Sequence, residues 1–301
     1  MTAKIVFSAN RNGNREIYLM NPDGSQQINV TNHPADDITP DWSPTGEQIL
    51  FASNRDGPRD IYLMEADGTN VRRVFEKKND RSFPRWSPDG KQMTYMSWKG
   101  GQTLIYISTI DGKKTEQVAL GSGPTWSPDG IAIAFVSGAL ERKQISVLNL
   151  KTGVEKILFP AKGEPSWIGS APTWSPMGDK IAFSWLQRVP LKDFIEMETI
   201  YIMNSDGTGL MQVVDEDGPK ASCPVWSPLG DELLYVQAVD IQAAQPFRFQ
   251  IFKITLEDGK SKQLTDIGFG HHLGSWFDPA YALPVSFQPQ LLETTWGKTK
   301  Q

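Results

Sequence analysis

The stretch "WSPTGEQILFASNRDGPRDIYLMEADGT", Trp42 to Thr69, decides the fold, because most of it is written more than once. "FSANRNGNREIYLMNPDG" occupies residues 7–24 and "WSPDGKQMTYMS" residues 86–97. Trp-Ser-Pro recurs at Trp42, Trp86, Trp126, Trp174 and Trp226, with a degenerate sixth copy at Trp276 in "SWFDP". The gaps of 44, 40, 48, 52 and 50 residues fall in the range of propeller blades. Each unit reads as four strands. The first ends at the Trp, and Ser-Pro-x-Gly then turns the chain, with Pro presetting φ at the first corner and Gly taking the positive φ at the end. The second strand alternates, as in Ile49 and Phe51, Met93 and Tyr95, or Ile181 and Phe183, which is the period of a strand. A third strand of the "DIYLM" type leads to an Asp-Gly hairpin at Gly68, Gly112, Gly207 and Gly259, and a more polar fourth strand closes the unit.

The two ends fit one another. Three strands, at about 4–9, 16–20 and 26–31, precede the first Trp-Ser-Pro, and a lone inner strand near 273–277 follows the last. One plus three completes a sixth blade and hides the edges that an open ring would expose. The expectation is an all-β, six-bladed β-propeller of four-stranded antiparallel blades over residues 1–280. Residues 281–301 are expected to form a Pro-containing tail. A blade cannot bury its faces alone, and six stacked radially can. A Trp at the same place in every unit is then blade-to-blade packing.

Bulk properties narrow the function. A net charge of −5 over 301 residues, with no run of five or more like charges, argues against nucleic-acid binding. No apolar run is long enough to span a bilayer. The N-terminus "MTAKIVFSAN" has no signal-peptide pattern. The single cysteine, Cys223, rules out an internal disulfide and reads as a buried inner-strand residue. Gly121-Ser122-Gly123 reads as a linker between blades. There is no Gly-x-Ser-x-Gly elbow for nucleophilic catalysis, and paired carboxylates cannot be assigned without their separation.

"WSPDGKQ", "FASNRDGPRDIYLMEADGT" and "VTNHPADD" together resemble the TolB-like family of β-propellers, over roughly residues 3–280. The resemblance implies a WD40-like six-bladed ring that works by protein binding, in the bacterial periplasm or outside the cell. TolB-like proteins with an additional N-terminal α/β domain depart from this chain, which has no room for one. Relatives of the same blade type serve as accessory domains of prolyl peptidases and as oligogalacturonate lyases.

Binding sites favour loops on a rigid scaffold, here the face carrying the loops between second and third strands and the linkers between blades. Arg11 and Arg55 lie in short loops there, suited to bridging blades or to a ligand. Longer loops at 159–172, 184–199 and 237–249 carry Trp167, Trp185, Phe194 and Phe247, and Trp98 joins them. Such rings suit a peptide or sugar, or else cover the loops' own small cores. His33 with Asp36 and Asp37, and His271 with His272 on the adjoining blade, could hold a divalent ion, as lyase relatives do in a propeller channel. Asp36, Asp37 or Asp80 could bind a cation through oxygen alone. Two functions follow. The favoured one is a non-enzymatic, monomeric binding module without a cofactor, capturing a protein segment or another extended ligand, such as a carbohydrate, on the loop-rich face around the central channel. The other is a metal-assisted polysaccharide lyase using the His33, His271 and His272 group.

Overall fold

A computed structural model describes residues 2–139, 142–160, 167–187, 197–215, 218–239 and 248–282, with the side chains of residues 167, 187, 197 and 269–271 left out. The described chain is strand and turn throughout, arranged as six antiparallel sheets. Blade 1 comprises Asp37–Trp42, Gln48–Ser53, Asp60–Glu65 and Arg72–Arg73 from the axis outward. Blades 2, 3 and 5 repeat the plan from Arg81–Trp86, Ser122–Trp126 and Ala221–Trp226. Blade 6 joins the ends, with Phe269–Phe277 innermost and Lys4–Asn10, Arg15–Met20 and Ile28–Asn29 following. Lys4 pairs with Phe277 and Ser8 with His272 in an antiparallel ladder. The expected one-plus-three closure is therefore present.

Closure also shows in the core, which divides into six clusters among the described residues, one for each junction between neighbours. The cluster at the seam packs Val6, Ile17 and Phe277 of blade 6 against Trp42, Ile49, Phe51 and Met64 of blade 1. Every repeat Trp belongs to such a junction, Trp86 between blades 1 and 2 and Trp226 between blades 4 and 5. Within blades, second and third strands stack aromatic pairs such as Phe7 with Tyr18 at 5.6 Å and Tyr95 with Tyr106 at 5.2 Å. These pairs fall on strand neighbours in register, where cross-strand contact stabilises most.

The Ser-Pro-x-Gly turn explains its own composition. The Gly46 amide donates to the Ser43 carbonyl at 2.9 Å, and Gly46 takes φ 72°, a conformation costly for any other residue. The buried Ser43 hydroxyl accepts the Gln48 amide at 3.0 Å. Ser87 repeats both contacts and donates to Asp89 at 2.6 Å.

Several boundaries differ from expectation; the loops expected at 184–199 and 237–249 are shorter, because Lys180–Gln187, Met197–Asn204, Glu232–Val239 and Arg248–Thr255 reach into them. The linker between blades 2 and 3 is Gly121 alone, since strands Thr115–Leu120 and Ser122–Trp126 run up to it on either side. The inner strand of blade 4 starts within the supposed loop 159–172, with Trp167–Ile168 and Thr173–Trp174 both pairing Lys180–Gln187. The intervening residues 169–172 interrupt one strand rather than replace it. The expected tail falls outside the described residues from 283 onward.

Candidate functional site

Five of the inner strands carry x-Pro-x-Trp-Ser-Pro, and the residue before the first Pro does the unusual thing. Thr39, Phe83 and Cys223 take φ values of 51°, 53° and 56°, and Gly123 takes 61° at the matching place. A residue before Pro normally stays extended. Here the strand bulges: the ladder shifts register between Ile38 and Asp41, Ser82 and Arg85, Ser122 and Thr125, and Ser222 and Val225. A bulge re-aims the side chains around it. The result is a ring of Thr39, Phe83, Gly123, Ala171, Cys223 and Gly274 facing the axis, within the wall of a cavity of about 750 Å³. That wall continues through the six repeat Trp residues to Pro44, Pro88, Pro128, Pro176 and Pro228 of the turns. Pro128 and Pro176 are exposed, so the cavity opens on the face of the regular turns. Exposed Met177 and Leu229 stand beside those prolines in sequence, and exposed Tyr281 lines the same mouth.

Charge enters the wall where blades 6, 1 and 2 meet. Asp41 accepts the Trp86 amide at 2.8 Å and lies 3.7 Å from the Arg85 guanidinium. Burial pushes the Asp41 carboxyl up, against the opposing pull of Arg85, the Trp86 amide and Ser275. Arg85 itself donates to the Pro40 carbonyl at 3.1 Å. His272 lines the same stretch. Burial, reinforced by the charges of Arg15, Arg59 and Arg85, pushes it down to about 4. Across the ring, Lys220 pairs with buried Glu198 at 2.8 Å, and Glu198 also accepts the Ser184 hydroxyl. Cys223, partly buried, has its thiol pushed up to about 11 by burial and by Glu198, so it is a poor nucleophile at neutral pH.

The depressed His272 makes stability depend on pH. Its folded value near 4 lies below the ordinary 6.5, so on acidification the unfolded chain binds the proton first. The contribution is whole above about 6.5 and fades as pH falls toward 4. Asp41 and Asp37, raised by burial, act in the opposite sense. The informative comparison is therefore between wild type and His272→Gln in urea unfolding at pH 7 and pH 4.5. The variant is expected to lose roughly 2 kcal/mol less on acidification; equal losses would contradict the assignment.

The other candidates from the sequence lie elsewhere. The Arg55 guanidinium donates to buried Asp37 at 2.8 Å and sits 5.1 Å from the Tyr62 ring centroid. Arg11 lies 4.3 Å over Tyr18 and bonds Gln27. Asp36 accepts the Arg15 amide at 2.9 Å. His33 shapes its own turn, its Nδ1 accepting the Ala35 amide at 3.1 Å. Asp80 is exposed. Trp185 packs edge-on against Phe159 at 5.1 Å and Tyr201 at 5.2 Å. Trp98 is 60% exposed. The side chains of Trp167 and His271, and residues Phe194 and Phe247, lie outside the description. Trp185→Phe should cost about 1 kcal/mol through lost packing, whereas Trp98→Ala should change the unfolding free energy by less than about 0.5 kcal/mol. Thermal and urea unfolding read both.

Among the described candidates, His272 alone is in the cavity wall. Among the described residues, no group of three or more His, Cys, Asp or Glu is placed to hold a metal ion. Nor is any helix long and apolar enough to cross a membrane. Sequence reasoning passed over Asp41, Arg85, Arg15 and Arg59. One signal was available: the residue between Pro and Trp is charged in "TPDW" and "FPRW" but Thr or Val in blades 3, 4 and 5.

The family model for the TolB beta propeller domain matches residues 1–122 and 119–278. The Tol-Pal system protein TolB of Syntrophotalea carbinolica is 35% identical over 48 residues, which is 16% of this chain and 11% of that protein. Among solved structures, TolB from Acinetobacter baumannii superposes with a TM-score of 0.71 at 19% identity, over 91% of this chain and 66% of that one. An oligogalacturonate lyase in complex with manganese gives 0.52 at 19% identity, over 88% of this chain and 73% of its own. At such identities the superpositions establish the fold. The chain thus spans about two thirds of the first of these structures and a far smaller share of the curated relative.

Proposed function

Because the chain belongs to the TolB β-propeller family, we propose that it is a non-enzymatic binding module that receives an extended protein segment in its central channel. One observation carries the reading: an open cavity of about 750 Å³ with a wall of Trp, Pro and small residues drawn from all six blades. That volume lies within the range of ligand sites, which are apolar with few polar groups. A threaded segment could lay its apolar side chains on the Trp-Pro wall, and the bulged ring would meet its backbone deeper in. A rigid ring needs little reorganisation to bind, which limits the ordering cost to the segment itself. The bacterial envelope, periplasmic or outside the cell, is the setting that goes with this family.

Selection of peptides from a displayed random library against the purified protein tests the proposal. Binders are expected to lose at least tenfold in affinity to Pro176→Trp, which puts a large ring at the mouth, with the unfolding midpoint unchanged. They are expected to bind Trp98→Ala normally. Binding that survives Pro176→Trp and is lost in Trp98→Ala would move the ligand to the opposite, loop-rich face.

A further inference from the structure

We propose that residues 283–292 of this same chain, "LPVSFQPQLL", occupy the channel mouth in the absence of a partner, so that an incoming segment binds by displacing them. The inference rests on the reading of the channel as a protein-binding site and names the first occupant of that site.

The mouth is lopsided. The Ser-Pro-x-Gly tips carry Thr45, Asp89 and Asp129 on blades 1, 2 and 3 but Met177 and Leu229 on blades 4 and 5. Asp89 and Asp129 serve the turn, accepting the hydroxyls of Ser87 at 2.6 Å and Ser127 at 2.5 Å. Blades 4 and 5 keep that bond with a carboxylate moved past the Gly. Ser175 donates to Asp179 at 2.7 Å, and Ser227 to Asp231 at 2.8 Å. The tip is thereby released from the needs of the turn, and Met177 and Leu229 stand there 84% and 58% exposed. Exposed Tyr281 continues this apolar half of the rim on blade 6.

The chain itself arrives at this rim. After the innermost strand of blade 6 a turn fixes its exit, with the Tyr281 amide donating to the Asp278 carbonyl at 3.0 Å and the Ala280 amide to the Asp278 carboxylate at 2.9 Å. Ala282 then packs on the seam cluster that holds Trp42 and Phe277. Residue 283 therefore starts at the mouth. Ten residues in polyproline II form span ~30 Å, more than the width of a cavity of about 750 Å³. Their composition suits the wall. They include Leu283, Val285, Phe287, Leu291 and Leu292 and no charged residue. Such a segment brings no unpaired charge into a wall whose own Asp41 and Arg85 face each other. Pro284 and Pro289 favour the polyproline II form, which docks in aromatic-lined grooves. A short tether holds a segment at ~mM effective concentration, so individually weak contacts suffice.

Cys223, the single cysteine, lines the channel, and its rate of reaction with N-ethylmaleimide at mildly alkaline pH reports whether the channel is occupied. In the full chain, Phe287→Asp combined with Leu291→Asp is expected to speed that reaction roughly tenfold, and the synthetic peptide LPVSFQPQLL at millimolar concentration to slow it again. Lys298→Asp, outside the segment, is expected to change nothing. Phe287→Ser alone, with an expected gain of about threefold, keeps the test valid should the double variant fail to fold. Unchanged rates, an equal effect of Lys298→Asp, or a peptide that gives no protection would overturn the proposal. Library peptides that bind at the mouth are expected to gain roughly tenfold in affinity for the double variant. Equal affinity for wild type and variant would leave the channel reading standing while this one fails.

Discussion

Asp41→Ala is expected to cost about 4 kcal/mol of folding stability, the range for breaking a buried charged pair. Its carboxylate joins three blades. It belongs to blade 1, takes the Trp86 amide of blade 2 at 2.8 Å, and is held by Ser275 of blade 6. Ser275 in turn accepts the Trp42 amide at 2.9 Å. Removing the carboxylate leaves the Trp86 amide without an acceptor and Arg85 without its nearest opposite charge, both in partly dry surroundings. Asp41→Asn separates these causes. Asn keeps an acceptor for the Trp86 amide, and burial already favours an uncharged side chain there, so this variant should lose about 1 kcal/mol. Urea unfolding at pH 7 measures both. A loss below 1 kcal/mol for the Ala variant would show that the seam does not depend on this group.

Gly274→Ala should be nearly as severe, at least about 3 kcal/mol. A methyl group there would sit 2.8 Å from the Val6 Cγ1 and 2.9 Å from the Val6 carbonyl oxygen, and would press into the Pro40 carbonyl as well. Two of these three neighbours are backbone, in the strand of blade 6 beside it and in the inner strand of blade 1. Neither can rotate aside, so relief requires the ladder to move. The effect should appear as a lower urea midpoint with an unchanged denaturant slope if the ring stays closed. A near-neutral result would mean that the two strands are not packed so closely.

The repeat was legible because each of its parts answers a local need. Ser43, Pro44 and Gly46 together make a turn that no distant contact has to support, and the Asp-Gly hairpins do the same. Closure was legible for a different reason: the two chain ends held complementary fractions of one blade. The channel was not. Left-handed backbone at Thr39 and Phe83, each before Pro, runs against local preference, and only the ring around them holds it. Arg85 looks in sequence like a solvated charge, since its approach to Asp41 depends on two blades meeting. Trp185 shows a smaller lapse. It continues the alternation of Ile181 and Phe183, and its ring joins the Phe159 and Tyr201 packing, yet the stretch after Phe183 reads as a loop. Trp98 falls on the other parity from Met93 and Tyr95, which agrees with its exposure.

Hydrogen exchange along Lys4–Asn10 measures most directly whether the chain ends seal the ring, on which the channel and its charged inner end both depend. Its ladder amides are expected to exchange as slowly as those of Gln48–Ser53, the equivalent strand of blade 1. Exchange at the rate of an unpaired chain, with blade 1 still protected, would mean an open ring and would remove the seam that carries Asp41, Ser275 and His272.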